Sequence, residues 1–182
     1  MKILVTGSEG SLMQAVIPYL IANGHEVVGA DSLFRYNERM NLAKGYDFEK
    51  IDLTNPFDVD TLIGRIRPDY IIQAAARIFG VGGFNKYCAD ILYNDPMLHG
   101  NILQSAVKWK VKRVVYISSS MVYENCPQSV DVPVYEDMVD KYPAPYTEYG
   151  MSKYVGERMS IAYKKQYDLD YTIWRPFNII TP

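Results

Sequence analysis

Short apolar runs alternate along this chain with longer segments in which apolar residues recur at helical spacing. Six runs read as strands: Lys2–Val5, Glu26–Ala30, Asp47–Ile51, Tyr70–Gln73, Arg113–Ile117 and Tyr171–Trp174. They are continuous rather than strictly alternating, the pattern of parallel strands covered on both faces. Helical spacing fills Ser11–Ala22, Asp58–Arg65, Ala89–Trp109 and Tyr146–Gln166. Pro18 and Pro96 fall inside or near the starts of two of these helices and predict kinks or late starts. The β-α-β alternation predicts an α/β fold with a doubly wound parallel sheet, and right-handed crossovers favour the strand order 3-2-1-4-5-6.

Composition narrows the picture. The 182 residues suit one domain with a sizeable core. Nearly half of them are apolar (48%) and sixteen are Tyr, which excludes a disordered chain. The formal charge is only −2 and no Lys/Arg block stands out, so neither nucleic acid nor an anionic membrane is expected as partner. Cys88 and Cys126 lie far apart and form no metal-spaced pair; they read as free thiols of a reducing compartment, with no metal expected. Met1-Lys2-Ile3 leads straight into a strand without a charged and apolar leader, and no apolar stretch reaches a membrane-spanning length. A cytoplasmic protein is expected.

The first candidate chemistry is Thr6-Gly7-Ser8-Glu9-Gly10, directly after the first strand. Glycines there allow a tight turn and let backbone N–H groups reach a pyrophosphate at a helix N-terminus. Alone, the pair reads equally as an ordinary strand–helix turn. Asp31 at the end of the second strand changes the balance, since a carboxylate there can accept from an adenosine ribose 2′-OH. Asp52-Leu53 after the third strand adds an acidic group at the expected place for an adenine amino group. Each Asp also suits a helix cap, but three coincidences at three strand ends favour a dinucleotide. A 2′-phosphate would be repelled by Asp31, so NAD is expected rather than NADP, with Arg35 nearby as the countering charge.

The second candidate is Tyr149-Gly150-Met151-Ser152-Lys153. Tyr and Lys four apart on a helix share a face. A phenol ordinarily titrates near pH 10, and a neighbouring ammonium stabilises the phenolate, which makes such a Tyr a usable general base. Tyr46 and Lys50 match the same spacing, but Tyr46 opens a strand, where residues four apart are distant, so it reads as structural. Tyr149 opens a long helix and follows Ser118-Ser119-Ser120 at the carboxyl end of the fifth strand, where such sheets place ligands.

Taken together these residues resemble the extended short-chain dehydrogenase/reductase family, the NAD-dependent nucleotide-sugar epimerases and dehydratases. The family's T-G-x-x-G-x-x-G stands here as TGSEGSLM from Thr6 to Met13, and its H-x-A-A as Gln73-Ala74-Ala75-Ala76. Its serine, Y-x-x-x-K and R-P-x-N motifs stand as SSSMVYE, YGMSK and Arg175-Pro176-Phe177-Asn178. The resemblance runs from Met1 to Pro182 in the family's order and implies a Rossmann-like fold. It implies Ser119 as catalytic hydroxyl, Tyr149 as base, and Lys153 as its partner on the nicotinamide ribose. It places Gly7, Gly10, Ser11, Leu12, Asp31, Asp52, Leu53, Ala74, Ala75, Ala76, Asn94 and Pro176 along the cofactor, and Ser120 and Asn178 beside the sugar nucleotide. A homodimer through the two long helices also follows from it.

Departures from the family pattern carry expectations too. Met13 replaces the third glycine and Ser11 the usual aromatic, which predicts a slightly displaced first helix and weaker dinucleotide affinity. Gln73 replaces a His, and the last residues lack the family's Tyr-Gly. Relatives run well past this length, so residues 1–182 are expected to be the NAD-binding domain, with the substrate domain largely missing beyond 182. Family enzymes oxidise a sugar hydroxyl, usually at C4. Where 4,6-dehydratases carry an acid, 3,5-epimerases a Cys and decarboxylases a Glu, this chain has Ser120-Met121, and Met transfers no proton. A 4-epimerase is expected first and a 4-ketoreductase second. The Gly80–Lys86 loop with Cys88 keeps a 3,5-epimerase-like enzyme open. A non-catalytic NAD-binding module or inactive fragment is the reading outside enzymology.

Overall fold

The computed structural model describes residues 1–35, 38, 45–77, 81–129 and 133–179. Six strands form one parallel sheet: β1 (Lys2–Thr6), β2 (Glu26–Asp31), β3 (Asp47–Lys50), β4 (Tyr70–Gln73), β5 (Arg113–Ile117) and β6 (Asp170–Trp174). Their order is β3-β2-β1-β4-β5-β6, the doubly wound arrangement expected from the alternation of elements. Four helices connect them: α1 (Ser11–Ala22), α2 (Pro56–Ile66), α3 (Cys88–Lys108) and α4 (Glu148–Tyr167). The expected boundaries hold to within two residues. The late starts expected from Pro18 and Pro96 do not occur, because both prolines lie in the interior of their helices.

The pleat of β1 divides the core. Leu4 points into one cluster with Val28, Ile71 and Val114, closed by α2 (Val59, Leu62, Ile63) and α3 (Leu98, Ile102). Ile3 and Val5 point the other way with Val27, under Met13 and Ile17 of α1. Met13, where a glycine was the family expectation, is thus a core side chain between α1 and the sheet. Local chemistry sets the helix ends. Asn55 caps α2 by accepting from Phe57 N at 3.0 Å with Pro56 at the first turn, and Thr147 caps α4 by accepting from Gly150 N at 3.3 Å. The cap of α4 fixes where Tyr149 begins its turn.

Short 3-10 turns at Ser120–Tyr123 and Glu136–Asp140 were absent from the sequence reading. Both cysteines are free, Cys88 half-buried and Cys126 buried. Among the described residues, no helix is long and apolar enough to cross a membrane, and no group of three or more His, Cys, Asp or Glu is placed to hold a metal ion.

Candidate active site

The carboxyl ends of the strands open into a cleft of two communicating chambers. The smaller, about 170 Å³, lies at the ends of β2 and β3 and is lined by Asp31, Asp52, Leu53, Ala75, Arg77 and their neighbours. The larger, about 320 Å³, runs towards β5 and is lined by Gly10, Ser11, Leu12, Ser119, Tyr149, Lys153 and Pro176 among others. Gly7, Arg35, Ala74 and Ala76 line both and join them. Most of the residues expected along a dinucleotide therefore line these two adjoining chambers. Asn94, Ser120 and Asn178 do not line either chamber. The Asn94 amide is turned back to Asp90 O at 2.6 Å, Ser120 N donates to Pro176 O, and Asn178 is exposed.

The turn after β1 is built for a close approach. Gly7 has φ +66°, and a Cβ on it would stand 2.8 Å from Ala74 C and Ala75 N, so no side chain fits. Gly10 opens α1 with no side-chain cap, and of the first-turn N–H groups Met13 N bonds back to Gly10 O at 3.0 Å. Asp31 ties this turn to β2: one carboxylate oxygen accepts from Glu9 N at 3.1 Å and the other from Leu33 N at 2.9 Å. Each oxygen keeps a further lone pair for a ribose hydroxyl. Across the chamber, Arg77 pairs with Asp52 at 3.2 Å and lies 5.1 Å over the Phe34 ring. This cradle, with its uncapped helix and its carboxylate, fits a dinucleotide pyrophosphate and ribose.

At the other end Ser119 and Tyr149 face the same chamber. Ser119 Oγ accepts from Met121 N at 3.2 Å, which leaves its own proton free to donate. The Tyr149 ring is fixed by stacking on Phe84, with centroids 4.5 Å apart and planes 11° from parallel. Lys153, one turn further on, is only 4% exposed, with Nζ 5.9 Å from the Tyr149 ring centre and 5.6 Å from that of Tyr116. Burial alone would pull its proton affinity down, but the polar groups around it, with the Asp95 carboxylate 3.4 Å away, outweigh burial and hold the ammonium above the ordinary lysine range. Lys153 therefore stays charged beside the phenol at any physiological pH. Tyr46, the competing match, donates to Glu9 Oε1 at 2.9 Å and lines neither chamber, in keeping with its structural reading. Gly80 and residues 180–182 lie outside the described residues.

Two buried acids escaped the sequence reading. Asp95 pairs with Lys153 at 3.4 Å, and Glu157 makes a two-pronged pair with Arg175 (2.9 and 2.8 Å) while accepting from Ser118 Oγ at 2.6 Å. Helical periodicity carried the signal for the first: Asp95 shares the buried stripe of Ile91, Leu98 and Ile102.

The fold and groove define a dinucleotide-binding α/β domain of the extended short-chain dehydrogenase type. The model of the NAD dependent epimerase/dehydratase family matches residues 3–182, and the chain belongs to that family. GDP-L-fucose synthase of Sinorhizobium fredii is 25% identical over 183 residues, covering 100% of this chain and 52% of that protein. GDP-mannose 3,5-epimerase of Arabidopsis thaliana is 28% identical over 184 residues, covering 100% of this chain and 48% of its own length. Among solved structures, UDP-glucose 4-epimerase of Thermotoga maritima superposes with a TM-score of 0.83 at 25% identity, over 96% of this chain and 55% of that one. The chain thus spans about half the length of the relatives it matches.

Proposed function

We propose that this chain is the NAD-binding part of a nucleotide-sugar enzyme that oxidises and re-reduces C4 of the sugar, a 4-epimerase. The observation that carries the reading is the adjacency of the two chambers: Ser119, Tyr149 and Lys153 line one, Asp31 lines the other, and Gly7 lines both. Gly7, Gly10, Ser11 and Leu12 would hold the pyrophosphate, and Asp31 the adenosine ribose. When bound, NAD supplies two-electron redox chemistry at the nicotinamide end. Tyr149 takes the proton of the sugar hydroxyl as its C–O bond becomes a carbonyl, and returns it when the carbonyl is reduced. Ser119 donates to the same oxygen, and Lys153 favours the deprotonated phenol through its fixed charge. Asn178 and Ser120, on segments beside the chamber, are assigned to the sugar nucleotide. A homodimer through α3 and α4 goes with the same reading.

A 4-ketoreductase, which uses the same three side chains, is the second reading. The titratable side chains lining the larger chamber among the described residues are Arg35, Tyr149 and Lys153. No carboxylate or thiol joins them there to move protons on ring carbon, which favours simple redox over 3,5-epimerisation. The test compares Tyr149→Phe with Tyr46→Phe, in a full-length version with its substrate domain, for NAD-dependent turnover of UDP- and GDP-hexoses. Tyr149→Phe is expected to lose about 10²–10⁴-fold in kcat, the range of a positioned acid–base group, while Tyr46→Phe stays within a few fold. Full activity in Tyr149→Phe removes the mechanism.

A further inference from the structure

Lys153 is not alone in its pocket, and its partner is charged. Asp95 enters from α3, is 3% exposed, and places Oδ2 3.4 Å from Lys153 Nζ. Oδ2 has no hydrogen-bond donor among the described residues, so its partner there is the ammonium. Oδ1 is engaged separately and accepts from Arg77 N at 3.0 Å, on the segment that follows β4 along the groove. The carboxylate is thus held from two sides, by the wall of the groove and by the lysine beside the base.

We propose that Asp95 is a positioning residue for the reaction: it fixes the Lys153 ammonium one turn below Tyr149 and offsets part of that charge at the phenol. The inference rests on Tyr149 being the base. A buried ammonium beside a phenol favours the phenolate, and a carboxylate paired with the same ammonium opposes this. The pair therefore sets how readily the base gives up its proton, while the lysine stays in place. Other groups around the pair leave Asp95 as the adjustable charge. His99, also from α3, is neutral, because burial first and Lys153 second pull its pKa down to about 3. Tyr116 of β5 keeps its proton, since burial pushes its phenol up to about 12. Glu157 of α4 is bound on both oxygens by Arg175. Arg35 lines the same chamber from the segment after β2.

Asp95→Asn keeps the side chain's shape and an oxygen for Arg77 N, but removes the charge. The tyrosinate absorbance of Tyr149 is isolated by subtracting the pH titration of Tyr149→Phe, in the wild-type and the Asp95→Asn backgrounds alike. The Tyr149 midpoint is expected to be lower with Asn at 95, and the acid limb of the kcat/KM profile should move down with it. Asp95→Glu, which restores the charge, should return both towards wild type. Asp95→Ser carries the same test if Asp95→Asn does not fold, as judged by circular dichroism. A purely structural ion pair would lower stability and leave both pH values unmoved. An unshifted midpoint in a folded neutral variant overturns the role of Asp95. A shifted midpoint with an unmoved acid limb overturns the reading of Tyr149 as base.

Discussion

Acid should loosen this domain through one histidine. His99 is fully buried in α3, stacked 4.0 Å from the Tyr116 ring, with Nε2 2.8 Å from Ser160 Oγ. Ser160 already donates its own proton to Gly156 O at 3.1 Å, so His99 must donate through Nε2 and carry no proton on Nδ1. Nδ1 has no hydrogen-bond partner among the described residues, and a proton added there would sit in the interior near the Lys153 ammonium. Burial, and then that ammonium, hold the folded-state pKa down to about 3 against an ordinary 6.5. The unfolded chain therefore binds the proton first as pH falls, and the stability this neutral ring confers is present above the unfolded value and lost below it. Between about pH 7 and pH 4.5 the loss comes to about 2.5 kcal/mol, a large part of a typical domain's stability. Urea unfolding across that range should show the decline in the wild type and a curve flatter by a similar amount in His99→Gln, which keeps a donor for Ser160. Parallel curves for the two proteins would refute the assignment of a neutral, proton-refusing His99.

Gly7→Ala combines a left-handed φ of 66° with a Cβ 2.8 Å from the backbone of residues 74 and 75. It should cost at least about 1–2 kcal/mol in thermal unfolding and also weaken NADH binding, and an unchanged melting temperature with unchanged affinity would remove the cradle. Asp31→Ala should narrow the preference for NADH over NADPH in fluorescence titrations, with Arg35 and Arg77 left in the chamber; a preference for NADPH in the wild type would refute the role of Asp31.

The sheet was legible because central parallel strands are buried on both faces and therefore write themselves as apolar runs, as Ile3–Val5 of β1 and Val27–Ala30 of β2 do. The glycine turn and the Tyr149/Lys153 pair were legible because their geometry is local. Less legible were the partners of polar residues on the long helices. Asn94 and Asp95 are adjacent and both buried, and the stripe of Ile91, Leu98 and Ile102 runs through Asp95. Asn94 lies one step round, within reach of its own helix at Asp90 O. Glu157 was invisible for a related reason: its partner Arg175 lies 18 residues on, beyond β6, and only the fold brings the two together. The role of Glu9 as acceptor for Tyr46 is likewise a tertiary fact, since a strand-entry tyrosine says nothing of what its hydroxyl meets.

The inner face of α4 explains why so much of the site is polar. Its buried residues are Gly150, Ser152, Lys153, Gly156, Glu157 and Ser160, with no large apolar side chain among them. Met159 and Tyr163 reach the core only at its edge. An ordinary amphipathic helix is held by a greasy stripe, which is strong but indifferent to small slides along the axis. Here the helix is held by directional bonds instead: Asp95 to Lys153, Ser118 and Arg175 to Glu157, and His99 to Ser160. Gly156 adds a steric stop, because a Cβ there would run into the Tyr116 phenol. Buried ion pairs contribute little net stability once desolvation is counted, so this arrangement is poorly explained as a device for stability. It fixes the register of α4 against α3 and β5, and with it the position of the Tyr149 hydroxyl over the groove. A side chain that must reach a partner within hydrogen-bond distance needs such a register held to a fraction of an ångström, and a polar lock specifies it where an apolar seam would let it drift.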